Sequence, residues 1–219
     1  VTAPELHVVT FPSVAQLRRR LPRLVAGIVV LSGGITFMLQ ARLGVSAYDV
    51  LHQGLSKVTG LSFGTVVVAL GLLILVAWIP IGQRFGLGTI VNTLSIGFIV
   101  DGLLRVVPSP DSLVGRWPML VAGIVVTAFG MGLYIGAGLG PGPRDGLMTG
   151  LAAKGYPLWL VRTVLELAAL AAGWALGGDV GIGTVLFAFA IGPLGHWFLA
   201  RLHLGVDAVD PLPAATVGE

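Results

Sequence analysis

The chain has no cysteine, and its 219 residues include only 10 acidic and 13 basic side chains. Without cysteine, neither a disulfide framework nor a thiolate metal site can form. The four histidines are scattered without ligand spacing, so no metal centre and no cofactor are expected. Charged residues make up only 11% of the chain, too few to cover the surface of a soluble domain of this length. What fills the space instead is apolar: 55% hydrophobic residues, with a mean hydropathy of +0.95. The formal net charge is +3 and the pI about 9.8, but the basic residues sit at the ends of apolar runs. They form no face or stripe, so they read as membrane topology signals and not as a nucleic-acid surface. No Gly-x-x-x-x-Gly-Lys-[Ser/Thr] run occurs, so any ATP-driven action needs a partner chain.

Six apolar runs reach the roughly 20 residues that cross a bilayer as a helix. They are expected at about Arg23–Gln40, Ser62–Ile81, Gly88–Val107, Pro118–Gly138, Pro157–Leu176 and Gly181–Leu202. The first follows Arg18-Arg19-Arg20-Leu21-Pro22-Arg23 and resembles a secretory signal. It is read as a retained span, because Leu24–Val30 recurs unchanged as Leu120–Val126 inside the chain. Trp78, Trp117, Trp159, Trp174 and Trp197 all fall near span ends, where amphipathic indoles sit at headgroup level. Gly132, Gly136 and Gly140 recur every fourth residue, a small-residue face suited to close helix packing in lipid. With the N-terminus inside, the cytoplasmic side carries Arg18, Arg19, Arg20, Arg23, Arg84, Arg144, Lys154, Arg162 and Arg201. The other side carries Arg42, Lys57, Arg105 and Arg116. That imbalance predicts both termini in the cytoplasm.

The identical heptad belongs to a longer repeat. At an offset of 96 residues Leu43, Gly44, Asp49, Gly54 and Leu55 recur as Leu139, Gly140, Asp145, Gly150 and Leu151. At an offset of 95, Gly86-Leu87-Gly88-Thr89-Ile90 recurs as Gly181-Ile182-Gly183-Thr184-Val185. Each copy holds three spans, an odd number, so the second must enter the membrane with opposite polarity. The expected architecture is an all-α polytopic membrane protein of six transmembrane helices in two inverted three-helix repeats. The copies cover residues 22–107 and 118–203. They lie between a cytoplasmic tail at 1–21 and a disordered tail at 204–219. Inverted repeats commonly build secondary transporters, whose sites lie at the repeat interface near the midplane.

Between the first and second span of each copy lies a segment too short to cross, predicted to be a re-entrant or interfacial helix. Ser46 to Asp49 has capping-box spacing. In the second copy Gly142 is the expected cap, Pro143 the first helical residue, and Asp145 again three residues in. Entering from opposite sides, the two helix starts would converge, and a helix start carries free N–H groups and partial positive charge. Asp49, His52, Asn92, Arg144 and Asp145 are therefore the candidate substrate contacts. For Asp49 and Asp145 the simpler role is stabilising their own helix dipoles. Other intramembrane polar candidates are Asp101 and His196, which match in the repeat, and Arg162 with Glu166, spaced four apart as an ion pair.

These motifs resemble the YczE/YyaS/YitT-type bacterial integral membrane proteins, and within them a YczE-like actinobacterial branch. The resemblance is carried by Leu43–Ser56, Thr59–Thr65 and Gly86–Thr89 in the first copy. In the second it is carried by Gly140–Met148 and Gly181–Leu186. Tyr48 stands where tryptophan is expected before the aspartate. The resemblance implies a multi-pass cytoplasmic-membrane protein and supplies no catalytic residues. Together these readings predict a small-solute transporter with no enzymatic activity. The competing reading is a substrate-binding membrane subunit or accessory protein acting with a partner such as an ATPase module, or as a homodimer. A two-carboxylate hydrolase using Asp49 and Asp145 is the least favoured, since it requires the pair to share one proton.

Overall fold

The computed structural model describes residues 14–202; the expected tails before Val14 and after Leu202 lie outside the described residues. Eight helices and no strand occur among them: α1 (Val14–Ala41), α2 (Ala47–Thr59), α3 (Phe63–Ile81), α4 (Leu87–Val106), α5 (Leu113–Gly136), α6 (Pro143–Ala153), α7 (Leu158–Ala175) and α8 (Ile182–Leu202). All but α2 and α6 are long and apolar enough to cross a membrane. The spans read from the sequence are these six, with two corrections. Helix α1 begins at Val14 and carries Pro22 within it, so the basic run is helical and not part of a tail. Helix α5 begins five residues before Pro118, because Ser112 caps it by accepting the Gly115 N–H. Both helices extend past the apolar run that marks the span and carry a proline inside, whose missing donor is tolerated in helices of this kind.

Serine starts and glycine stops punctuate the first half. Ser46 Oγ accepts the Asp49 N–H and Ser62 Oγ accepts the Thr65 N–H, each at 3.2 Å. Gly60 and Gly82 end α2 and α3 in the left-handed conformation.

The centre of the molecule is the crossing of α1 and α5. Gly27 meets Tyr134, Leu31 meets Gly130, Gly34 meets Thr127 and Met38 meets Gly123. One number rises as the other falls, so the helices run antiparallel. A methyl group on any of these glycines would overlap its neighbour across the crossing, which is how backbones approach closely in lipid. Helix α4 packs on α1, as α8 packs on α5. Helix α2 packs on α7, as α6 packs on α3.

Individual contacts also exchange between the halves. The Gly88 N–H donates to Leu139 O at 2.7 Å, and the Gly183 N–H donates to Leu43 O at 2.7 Å. Lys57 Nζ donates to Gly177 O at 2.6 Å across the α2–α7 end, while Lys154 Nζ donates to Pro80 O at 3.0 Å across the α6–α3 end.

One pairing has no counterpart. On α3 and α4, Gly64 and Gly97 press against each other's carbonyls. Just above them, Asp101 accepts the Gly64 N–H at 2.8 Å and the Ser62 O–H at 2.5 Å. Among the described residues no comparable seam joins α7 and α8. There Leu160 is 40% exposed, and a methyl group on Gly192 would meet nothing within 4 Å.

Four of the five tryptophans are exposed near helix ends, but Trp78 is fully buried. It lies under α6 with its indole N–H donating to Pro143 O at 3.0 Å, stacked on Phe85. Gly146 leaves the room for its ring. The expected headgroup position is therefore corrected for Trp78: it is a packing residue that seats α6 on α3.

Candidate functional site

The starts of α2 and α6 open onto one cavity of about 150 Å³ at the centre of the helices. At the first, Ser46 accepts the Asp49 N–H and donates its hydroxyl to Asp49 Oδ2 at 2.6 Å. The capping box expected here is thus half formed, since the carboxylate binds the serine hydroxyl and not the backbone. The other carboxylate oxygen of Asp49 lies 3.3 Å from His52 Nδ1. His52 is held edge-on against Phe63. This end is internally satisfied.

At the other end the corresponding groups are short of partners. Gly142 caps α6 with no side chain to accept its N–H groups, and Pro143 is the first helical residue, both as expected. Arg144 Nε stands 3.8 Å from Asp145 Oδ1, beyond hydrogen-bond range. The Arg144 guanidinium lies over the Tyr48 ring, 5.1 Å from its centroid. Tyr48 and Arg144 are repeat equivalents, so the two short helices touch through corresponding positions. Around Gly142 gather the Tyr134 hydroxyl, the Asp145 carboxylate and the Asn92 amide, at 3.2, 3.3 and 3.7 Å from where a side chain would begin. Tyr134 is 2% exposed and its hydroxyl has no hydrogen-bond partner. The Thr127 hydroxyl is buried and unpartnered as well. Buried polar groups in folded proteins are nearly always paired, so an orphan lining a cavity is informative.

A second cavity, of about 200 Å³, fills the gap between α7 and α8. It shares Met131, Arg144, Asp145, Phe187 and Ile191 with the first, so the two adjoin at Arg144. Its walls carry the Arg162–Glu166 pair, at 3.0 Å, and His196.

The five candidate substrate contacts, Asp49, His52, Asn92, Arg144 and Asp145, thus line one cavity. Arg162, Glu166 and His196 line the adjoining one. Asp101 lines neither and binds the first turn of α3. The reading of the sequence missed Tyr134 and Thr127. Their signal was available, since Thr127 and Tyr134 are the two side chains able to hydrogen-bond between Pro118 and Gly136. Tyr48 was read only as an aromatic substitution and proves to carry the contact between the copies.

Comparison with known proteins gives a consistent result. Residues 18–200 match a family described as "Family of unknown function (DUF6198)". An uncharacterized protein of Haemophilus influenzae is 35% identical over 79% of this chain and 76% of its own length. The uncharacterized membrane protein YczE of Bacillus subtilis is 33% identical over 76% of this chain and 79% of its own. The uncharacterized protein YyaS of the same organism is 30% identical over 79% and 89%, respectively. No solved structure matches.

Proposed function

The chain belongs to the DUF6198 family, and on that premise we propose that it is a small-solute transporter of the bacterial plasma membrane, with both termini cytoplasmic. Two inverted three-helix repeats form its body, and the substrate site is the cavity between the starts of α2 and α6. The observation that carries this reading is the meeting of the two repeated short helices on one cavity, touching through the equivalent residues Tyr48 and Arg144. The antiparallel crossing of α1 and α5 and the exchanged pair of hydrogen bonds at Gly88 and Gly183 support the inversion. Sites at such an interface are the usual arrangement in transporters with inverted repeats.

The unequal seams supply the access route. Helices α3 and α4 close one side at Gly64, Gly97 and Asp101, while the gap between α7 and α8 leads from Arg144 outwards. With the N-terminus inside, that gap faces the cytoplasm. Exchange of the two seams would open the same site to the other side.

The absence of native cysteine makes a direct test simple. Single cysteines at Lys57 and Lys154, the exposed ends of the two short helices, are expected to react with a membrane-impermeant maleimide from opposite sides of the membrane. Labelling from one side would end the inverted reading. Transport itself is tested in proteoliposomes of the full chain exposed to a bacterial metabolite extract, with the lumen assayed by mass spectrometry. Enrichment of a solute by wild type and not by Arg144→Gln is the expected result, and no enrichment of any solute would overturn it.

A further inference from the structure

Resting on the reading of the central cavity as a solute site, we infer that its substrate class is a small zwitterion carrying a carboxylate and an ammonium group, of the α-amino-acid type. The argument starts from the inequality of the two helix starts. The start of α2 is closed on itself by Ser46, Asp49 and His52. The start of α6 presents donors that the protein leaves only loosely engaged: backbone N–H groups that no side chain caps, the Arg144 guanidinium paired with Asp145 at 3.8 Å, and the buried Tyr134 hydroxyl. The Asn92 amide lies beside them at Gly142. A planar fork of guanidinium donors beside a helix start is suited to a carboxylate. The orphaned hydroxyl is the independent sign of a missing acceptor, because Tyr134 is buried and lines the cavity.

Charge then narrows the class. In the cavity Asp49 is engaged by Ser46 and His52, which leaves Asp145 and Arg144 as the pair of opposite charges facing the space. A bare anion on Arg144 would lie beside Asp145 with nothing to offset the repulsion. A bare cation on Asp145 would leave the guanidinium and the tyrosine hydroxyl unpaired. A zwitterion meets both, with its carboxylate on Arg144 and the α6 start and its ammonium on Asp145. Apart from the Thr93 and Thr127 hydroxyls, the remaining walls are mostly aliphatic and aromatic, including Ile96, Phe187 and Ile191. They favour an apolar side chain over a charged one, and the volume of about 150 Å³ favours a small one.

The test is isothermal titration of the purified full chain in detergent with L-alanine, L-valine, L-leucine and L-phenylalanine. Each is compared with the amine lacking its carboxylate and the acid lacking its ammonium. At least one amino acid is expected to bind, with both of its analogues weaker by about tenfold or more, as for loss of a charge-assisted contact. Arg144→Gln is expected to abolish binding. Tyr134→Phe is expected to weaken it about three- to tenfold while leaving thermal stability equal or higher, since it removes a hydroxyl that has no partner in the free protein. An amine or acid binding as tightly as its parent amino acid would overturn the zwitterion and leave the site standing. Amino-acid binding unaffected by both variants, or no amino-acid binding at all, would overturn it too. Binding of the expected kind without uptake into proteoliposomes would keep this inference and remove the transporter.

Discussion

The α3–α4 seam and the α7–α8 gap fall at corresponding places in the repeat, yet one is shut and the other is not. The shut seam depends on three small-scale features: a glycine on each helix, and an aspartate on α4 that binds the first turn of α3. In the second half only one glycine survives, as Gly192. With the caps of α3 and α7 aligned, Trp159 stands at the position of Gly64, and His196 at that of Asp101. The half that closes is therefore the one with two glycines and an anion aimed at a helix start, where an anion is favoured. The open half presents an exposed indole, Trp159, and a histidine that makes no hydrogen bond among the described residues. Under the proposed transporter reading, this difference alone holds the site open to one side without a ligand to bias it.

The largest effect that separates the two comes from size. Gly64→Leu or Gly97→Leu drives a side chain into a facing carbonyl, which cannot move without parting the helices. Overpacking costs typically 1–3 kcal/mol where side chains can yield; against backbone the expected loss is about 3 kcal/mol or more. Gly192→Leu meets open space and is expected to change stability by less than about 0.5 kcal/mol, while blocking closure and so uptake. Thermal unfolding in detergent reads the first difference and proteoliposome flux the second. Equal destabilisation by Gly64→Leu and Gly192→Leu would mean the gap is closed in the resting protein.

Next in size is the anchor. Asp101→Ala removes two hydrogen bonds to a carboxylate, one of them from the first turn of α3, while Ser62 still caps that helix. The expected loss is about 1–3 kcal/mol, the range for hydrogen bonds to charged groups, partly recovered in Asp101→Asn. His196→Ala is expected to be neutral in the same assay. If His196→Ala proves as costly as Asp101→Ala, the histidine holds a seam of its own and the comparison fails.

Much of the fold was legible because lipid-crossing helices are written in length and polarity. The six spans and two short helices appear where apolar runs and cap residues put them, since few other signals compete in such a chain. The misreadings have local causes. The starts of α1 and α5 lie outside the apolar runs, in the basic stretch before Arg23 and in the turn before Pro118, where hydropathy carries no helix signal. Trp78 looked like a headgroup anchor because its sequence position is near a span end; only the glycine at position 146, on a helix distant in sequence, explains its burial. That Asp49, Arg144 and Asp145 line one cavity was legible in the repeat, whereas Asn92, a polar residue inside a span, read equally as an interhelical hydrogen bond. The orphaned hydroxyls of Tyr134 and Thr127 were not legible there, because whether a donor finds an acceptor depends on neighbours from several helices. Nor could the sequence say which seam is shut, since Gly97 and Gly192 look alike until their partners are in view.

The smallest expected effect sharpens the comparison most finely. Arg162 and Glu166 form a pair along α7 at 3.0 Å, with 46% and 31% of their side chains exposed. A pair of this spacing and exposure contributes about 0.3–0.5 kcal/mol, reduced further by salt. Glu166→Gln should therefore leave the unfolding temperature nearly unchanged. Its consequence belongs to the gap instead, because the freed guanidinium stands in the wall of the cavity that adjoins Arg144. A cation there attracts anionic groups approaching from that side, an effect that fades as salt shortens the screening length to about 8 Å at physiological ionic strength. The expected signature is a salt-dependent change in uptake rate without a change in stability. A loss of stability above about 1 kcal/mol would instead make the pair a strut of α7 and place the entry elsewhere.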